Sequence, residues 1–215
     1  MIIPKTIHQI WIGNDPIPDT CKAFIEQWKA MYSDYNHILW DDSRVKITNI
    51  IPDDKQKYFM SAYPIALRAD ILRYEIVRRF GGIYIDVDTE PLKRMEDYML
   101  NCRFFGGKQS EHQIAIGIFG AEPRNELIND VCATVVSNIE DKLASGCGLE
   151  WVDQLTGPMY FTRRSIPYRS DPSYYFYNMI YFYPYSWLEP HRRHENFKIT
   201  SPDAYSVHHW QKRWL

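Results

Sequence analysis

The stretch Gly-Gly-Ile-Tyr-Ile-Asp-Val-Asp (residues 81–88) predicts the fold class of this chain. Its apolar triplet 83–85 indicates a short strand that ends in an acidic loop. Upstream, apolar residues recur at helical spacing from Ile65 to Phe80, with Pro64 in the first turn and the two glycines as the stop. Helix, Gly-Gly, strand and acidic loop are typical of an α/β fold with a ligand site at the carboxyl edge of its sheet.

The rest of the chain continues this alternation. We predict strands over 2–12 and 36–40 and two short strands within 102–120. Segments 173–188 and 205–210 are interpreted as strands or loops. Helices are predicted over 18–32, 43–50, 123–139 and 150–164, the last interrupted at Gly157-Pro158, and a loop runs through 52–54. No linker divides the chain, so we expect one domain over 1–215, which could be excised from a longer protein.

Composition narrows the function classes. The 215 residues are 45% apolar and 24% charged, which excludes a disordered tail or a coiled coil. A net charge of −2 provides no strong field for nucleic acid or an anionic membrane. No secretory signal pattern and no apolar run of about 20 residues is present, and four scattered cysteines have no metal spacing. We therefore expect a cytoplasmic protein with no membrane segment of its own.

Asp86 and Asp88 form the first candidate site. Two carboxylates two residues apart at a strand end can share a divalent cation, and hard oxygen ligands suit Mg²⁺ or Mn²⁺ carrying a diphosphate. A solvated turn is the alternative. An EF-hand starting at Asp86 would place Gly where Pro91 stands and Glu where Asp97 stands. A phosphatase strand of the form DxDx[TV] would place Thr or Val where Glu90 stands.

Two further groups carry chemistry. Asp70 and Arg73 share a face of the helix before the acidic strand, as either a ligand pair or a surface salt bridge. The pair His208-His209 offers imidazole to a metal or packs as a sheet edge. His8 is interpreted as a core histidine, and Trp11, at the end of the first strand, could stack on a nucleobase.

The order of the motifs is more specific than any one of them. Ile-Pro-Lys-Thr-Ile-His-Gln-Ile-Trp-Ile-Gly (3–13), Leu-Arg-Ala-Asp-Ile-Leu-Arg-Tyr (67–74), the 81–88 stretch, Thr-Gly-Pro (156–158) and Val-His-His-Trp (207–210) follow one another. Together they resemble the DxD-motif sugar transferases of glycosyltransferase family 32. That family includes yeast-type initiating α-1,6-mannosyltransferases and bacterial capsular glycosyltransferases, and is distantly similar to clostridial glucosylating toxins.

The resemblance implies a GT-A fold, a Rossmann-like α/β/α sandwich with a mainly parallel central sheet. It implies that Asp86, Asp88 and His208 hold Mn²⁺ or Mg²⁺. Asp70 and Arg73 would bind the donor sugar, with Arg68 nearby, and Asp86, Asp88, Asp70 and Arg73 would be the catalytic set. The implied donor-binding residues also include Ile10, Trp11, Val87, His208 and Trp214. Trp214 would close over the bound donor as a lid. Ala69 and Arg213 depart from the family pattern, and Arg213 directly precedes this lid residue.

The implied activity is a metal-dependent, retaining transfer of a hexosyl or deoxyhexosyl group. The donor would be a nucleotide-sugar, with a UDP-sugar favoured over GDP-mannose, and the acceptor a glycan or another hydroxyl compound. An inverting enzyme would need a carboxylate base, for which Asp153 and Glu150 are the candidates. Hydrolysis of the donor, or binding of a nucleotide-sugar or glycan without turnover, are the alternatives. Other domains of a longer chain would be further partners.

Overall fold

A six-stranded sheet forms the centre of the computed structural model, which describes residues 2–60 and 62–211. The strand order is β2-β1-β3-β6-β5-β7, and a separate two-stranded sheet pairs β4 with β8. Trp214 lies outside the described residues, so its lid role stays a prediction. The strands are β1 (Thr6–Ile10), β2 (Asn36–Trp40), β3 (Gly82–Ile85), β4 (Thr89–Pro91), β5 (Phe104–Lys108), β6 (Ile114–Ala121), β7 (Tyr174–Tyr177) and β8 (Ser206–His208).

Strand direction confirms the expected mainly parallel sheet. β1 pairs parallel with β2 and β3, and β5 pairs parallel with β7. Of the described strands in this sheet, β6 alone runs against the others, pairing antiparallel with β3 and β5. The carboxyl ends of β1 and β3 therefore lie at one edge of the sheet, which is where a ligand site is expected in an α/β fold.

Helices and irregular segments cover the two faces of the sheet. The helices are α1 (Asp19–Met31), α2 (Asp42–Thr48), α3 (Asp53–Gln56), α4 (Ile65–Phe80), α5 (Glu126–Ala144), α6 (Val152–Leu155), α7 (Pro158–Ser165) and α8 (Phe197–Thr200). On one face α4, α5 and α7 pack over Tyr84 and Phe119. On the other, Trp28 of α1 and the aromatic segment around Phe182 pack over Ile83 and Ile85. Side chains that alternate along β3 thus belong to two hydrophobic cores, as expected for a strand buried on both faces.

Local signals account for α4. Pro64 precedes the first helical residue, and Gly81 follows the last with φ +64°. A Cβ on Gly81 would lie 2.7 Å from the backbone nitrogen of Pro123, so the chain can turn directly from α4 into β3 only with glycine here. His8 is a core histidine as interpreted: Trp40 donates to its Nδ1, and its Nε2 contacts the Gly81 carbonyl.

One predicted loop is wrong. Asp53 and Asp54, expected in the loop 52–54, form the first half of the short helix α3 (Asp53–Gln56). A proline followed by two acidic residues is a helix-start signal, because the acids lie near the positive end of the helix dipole. The other predicted elements are found with shifts of a few residues, and α5 extends to Ala144. None of the described helices combines the length and apolarity that crossing a bilayer requires.

Candidate active site

Three side chains, two from the loop after β3 and one from β8, meet beyond the carboxyl end of β3. Asp86 follows the strand directly, and its N–H donates to the carbonyl of Gly117 on β6 over 2.7 Å. Asp88 follows two residues later, and the pairing of β8 with β4 brings in His208. The candidate ligand atoms of Asp86, Asp88 and His208 lie within 4.8 Å of one another. The structure thus brings together the three residues that the sequence predicted as metal ligands.

Asp86 is held by cationic and hydrogen-bond partners. Its Oδ1 accepts from the Tyr84 hydroxyl and lies 3.3 Å from Nη1 of Arg73. Its Oδ2 lies 3.2 Å from Nε2 of His208. Burial opposes ionisation of this carboxyl, but the Arg73 guanidinium and His208 outweigh it and lower the pKa of Asp86. Asp86 is therefore a carboxylate at neutral pH, as a metal ligand must be.

His208 lies between the two carboxylates. Its Nε2 is 3.2 Å from Asp86 and 3.3 Å from Asp88, while the N–H of Trp210 donates to its Nδ1 over 3.2 Å. Burial lowers the pKa of this imidazole, but Asp88 and Asp86 raise it by more, so the net pKa is raised. Coordination through Nε2 would place the ring proton on Nδ1, and the Trp210 contact would have to lengthen.

The donor set fits a divalent cation. Two carboxylates and one imidazole are hard-to-borderline ligands that suit Mn²⁺ or Mg²⁺. Asp88 is oriented by the N–H of Gln211, which donates to its Oδ2 over 3.0 Å. A Cβ on Gly117 would lie 2.9 Å from Asp86 Oδ2 and 3.0 Å from the His208 ring. Only glycine at 117 leaves this side of the cluster open, and the sequence alone did not indicate that.

Asp70 and Arg73 form a buried network and not the surface salt bridge that was the alternative. Their side chains are 6% and 4% exposed and lie 3.2 Å apart. Arg73 Nη1 also donates to the carbonyl of Ile116, and Asp70 Oδ2 accepts from the Thr156 hydroxyl at 2.8 Å. Burial raises the pKa of Asp70 to about 6, although Arg73 and Thr156 act to lower it. Through Asp86, this network joins the metal-ligand cluster.

The other residues predicted to bind the donor are Trp11, which was expected to stack on the base, Arg68, Ile10 and Val87. Trp11 follows β1, and its Nε1 donates to the Asp15 carbonyl over 2.7 Å. Arg68 is 3.5 Å from Asp42, whose other oxygen accepts from Gly13 N–H at 2.7 Å. The side chains of Ile10 and Val87 are buried in apolar clusters. The donor contacts predicted for Ile10, Trp11, Arg68 and Val87 stay predictions.

A cleft of about 450 Å³ runs over this region. It exposes Asp70, Arg73 and the metal-ligand cluster to one space. Tyr183, Trp187 and Trp210 line it, as do Gln109, Gln113 and Asp153. From the sequence, Trp187 belongs to the aromatic segment 174–187, interpreted as either an acceptor platform or core packing. The two glutamines were missed, since no local pattern marks a glutamine at a turn as a ligand. A deep cleft with clustered polar groups is the expected form of a small-molecule site.

A mainly parallel sheet with an Asp-x-Asp pair and a histidine at its carboxyl edge defines the class: a GT-A type nucleotide-sugar fold. Residues 18–105 match the family described as "Glycosyltransferase sugar-binding region containing DXD motif". This match covers part of the chain and agrees with the resemblance that the motif order predicted.

Two curated relatives match part of the chain. A mannosyl phosphorylinositol ceramide synthase of Saccharomyces cerevisiae is 33% identical over 129 residues, covering 58% of this chain and 33% of the relative. An initiation-specific alpha-1,6-mannosyltransferase of Schizosaccharomyces pombe is 32% identical over 104 residues, covering 45% and 26%. The matches therefore span about a quarter to a third of these two relatives.

Solved structures confirm the fold. The PaToxG glycosyltransferase aligns with a TM-score of 0.58 at 21% identity, covering 78% of this chain and 69% of that one. The UDP-bound glycosyltransferase domain of the YGT toxin aligns with a TM-score of 0.59 at 12% identity, covering 87% and 82%. At these identities the likeness concerns the fold alone, which is GT-A as expected.

Proposed function

We propose that this protein transfers a hexosyl group from a nucleoside-diphosphate sugar to a hydroxyl acceptor, in a reaction that depends on a divalent cation. One observation carries the proposal: Asp86 and Asp88, on the loop after β3, converge with His208 of β8 at the carboxyl edge of the sheet. Breaking the sugar–phosphate bond builds negative charge on the diphosphate. Mn²⁺ or Mg²⁺ held by these three residues would supply a Lewis acid for that charge.

The chain's own residues account for the remaining steps. Arg73 holds Asp70 and Asp86 in fixed positions, and Asp70 then presents a carboxylate oxygen to sugar hydroxyls. Because these groups are ordered and buried before the donor arrives, little reorganisation is needed during the reaction. Trp11, at the end of β1, is proposed to stack on the base. Retention of anomeric configuration is part of the proposal, and NMR of the product would test it.

The donor has two candidates. A UDP-sugar is favoured by the sequence resemblance, and a structural neighbour of the same fold binds UDP. A mannosyl donor such as GDP-mannose is the second candidate, since relatives at 32–33% identity are named for mannosyl transfer. Another relative, 33% identical, is named an inositol phosphoceramide mannosyltransferase. We therefore include a hydroxyl on a lipid-linked ring among the proposed acceptors.

A thermal-shift titration tests the proposal. UDP, GDP and their sugars are added with and without Mn²⁺ to wild type and to Asp88→Ala. A ligand at 100 times its Kd adds about 2.7 kcal/mol of stability, which is roughly 5–10 °C for a chain of this size. We expect a Mn²⁺-dependent shift with one of the two bases, absent from the variant. No shift with any nucleotide would contradict the proposal and favour binding of a glycan without turnover.

A further inference from the structure

A ladder of polar side chains lies in the cleft away from the metal-ligand cluster. Gln109 Nε2 donates to Gln113 Oε1 over 2.8 Å, and Gln113 Nε2 donates to the Asp153 carboxylate, 3.1 and 3.2 Å from its two oxygens. The N–H of Met159, in the first turn of α7, donates to Asp153 Oδ1 over 2.8 Å. Hydrogen bonds thus link the three side chains, and all three line the cleft.

The sheet places this ladder on the far side of the reacting centre from the predicted base site. Gln113 directly precedes β6, four residues before Gly117, whose carbonyl holds Asp86. Four residues of strand span about 13 Å. In the sheet, β3 lies between β6 and β1, and Trp11 directly follows β1. A donor that extends from Trp11 to the metal-ligand cluster would leave the ladder free for a second substrate.

The ladder keeps capacity for hydroxyl groups. A glutamine amide offers two N–H donors and an oxygen with two lone pairs, and a carboxylate offers about four acceptor positions. The contacts above use one amide N–H of Gln109 and part of the capacity of Gln113 and Asp153. What remains is a row of donors and acceptors along one wall, which is what a row of ring hydroxyls requires.

Apolar groups complete the same space. Ala115, Val152 and Pro158 line the cleft beside the ladder, together with the indole of Trp187. Trp187 is 49% exposed, so part of a large aromatic side chain is accessible in the cleft. Such a ring packs on flat, amphipathic ligands while polar groups fix their orientation. An open-chain polyol could use the polar wall but would have no flat face for the indole.

We propose that Gln109, Gln113, Asp153 and Trp187 form the acceptor subsite, and that it binds a polyhydroxylated six-membered ring, either a pyranose or a cyclitol. The inference rests on the proposed function, because an acceptor needs a donor. In this account Asp153 and the two glutamines bind and position the ring and are not the base of an inverting reaction.

The test is saturation-transfer difference NMR of the whole chain with diamagnetic Mg²⁺ and whichever nucleotide, UDP or GDP, wild type binds. The probes are methyl α-D-mannopyranoside and myo-inositol, which separate the pyranose from the cyclitol, and D-mannitol as the open-chain control. We expect signals from at least one ring and none from mannitol. Gln113→Ala and Trp187→Ala should each raise the ring's Kd about tenfold, the loss of one contact.

Matched variants separate binding from folding. Glu111→Ala lies on the same turn as Gln113, and Tyr175→Ala removes another exposed aromatic side chain; neither residue lines the cleft, so both should leave the ring signal intact. Gln109→Ala is the second ladder variant, in case Gln113→Ala melts early. Equal ring binding in the ladder variants and wild type, or nucleotide binding without any ring signal, overturns the subsite. Absence of nucleotide binding by wild type overturns the proposed function itself.

Discussion

Helix α4 carries two acid–arginine pairs with the same spacing and different surroundings. Asp70 and Arg73 lie 3.2 Å apart, and Glu75 and Arg78 lie 2.7 Å apart. Each acid is buried, and each pair has a third charged partner. For the first pair it is Asp86, at the cleft; for the second it is Lys55 of α3, 3.2 Å from Glu75.

The partner decides what each pair does. Around Arg73 two carboxylates share one guanidinium, and one of them belongs to the metal-ligand cluster. Around Glu75 two cations share one carboxylate, and Lys55 also lies 3.3 Å from Asp54, so the charges of this group balance. The second pair therefore stabilises the packing of α3 on α4. The first pair lies at the cleft and contacts the metal-ligand cluster through Asp86. Identical spacing on one helix is thus no guide to function until the third group is known.

The largest effect should follow Arg73→Met. Loss of the guanidinium leaves Asp70 and Asp86 buried without their cation, which should cost about 3–5 kcal/mol of unfolding free energy. We also expect donor cleavage to fall at least ~10²-fold, since the carboxylates lose their fixed positions. Urea denaturation and initial rates measure the two losses. Cleavage within tenfold of wild type in the folded variant would contradict the role assigned to this pair.

Glu75→Gln should separate stability from activity. The amide cannot neutralise the buried Lys55, so we expect a loss of about 3 kcal/mol, similar to that of Arg73→Met. The rate of donor cleavage at a temperature well below the melting point should match wild type, because Glu75 does not line the cleft. A large drop in rate at full folding would show that the two pairs are coupled.

Local patterns explain what the sequence could predict. Pro64, the periodicity of α4 and Gly81-Gly82 define one helix, and Asp86 and Asp88 follow a strand whose carboxyl end must lie at the sheet edge. The contacts that complete the site join distant residues: Thr156 with Asp70, Gln211 with Asp88, and Gly117 with Asp86. Such contacts depend on how the elements pack, so motif order could suggest them but propensity could not. Burial of Asp70 and Arg73, which excludes a surface salt bridge, is likewise a tertiary property.

Thr156→Val should change the pH profile. Burial raises the pKa of Asp70 to about 6 from an ordinary 3.8, and the Thr156 hydroxyl holds it from rising further. If ionised Asp70 binds the donor, the rate falls as pH drops through about 6, and the variant should lose rate at higher pH than wild type. The sign for stability is opposite: the folded protein binds this proton more tightly, so the contribution of Asp70 to stability is lost as pH rises through 6. Rate–pH profiles that coincide for variant and wild type would contradict this role of Thr156.

The smallest effect should come from Arg78→Met, the counterpart of Arg73→Met. Arg78 is 36% exposed, and Glu75 remains paired with Lys55 when Arg78 is removed. Solvent screening limits such a pair to about 1 kcal/mol or less. Urea denaturation of the two methionine variants side by side compares them. A loss equal to that of Arg73→Met would mean that burial does not distinguish the pairs.

Metal-dependent cleavage of a nucleotide-sugar is the most direct test of the account. UDP-glucose, UDP-galactose and GDP-mannose are incubated separately with the protein, with Mn²⁺ or with EDTA. No other acceptor is added, so water takes the glycosyl group, and the released nucleoside diphosphate is measured. Asp88→Ala removes one predicted ligand, and Asp97→Ala removes an exposed acid outside the cluster as the matched control. We expect release from one donor with Mn²⁺ that falls at least ~10²-fold with EDTA and in Asp88→Ala but not in Asp97→Ala. Release that is equal with EDTA and in Asp88→Ala would contradict the claim that this cluster holds a catalytic cation.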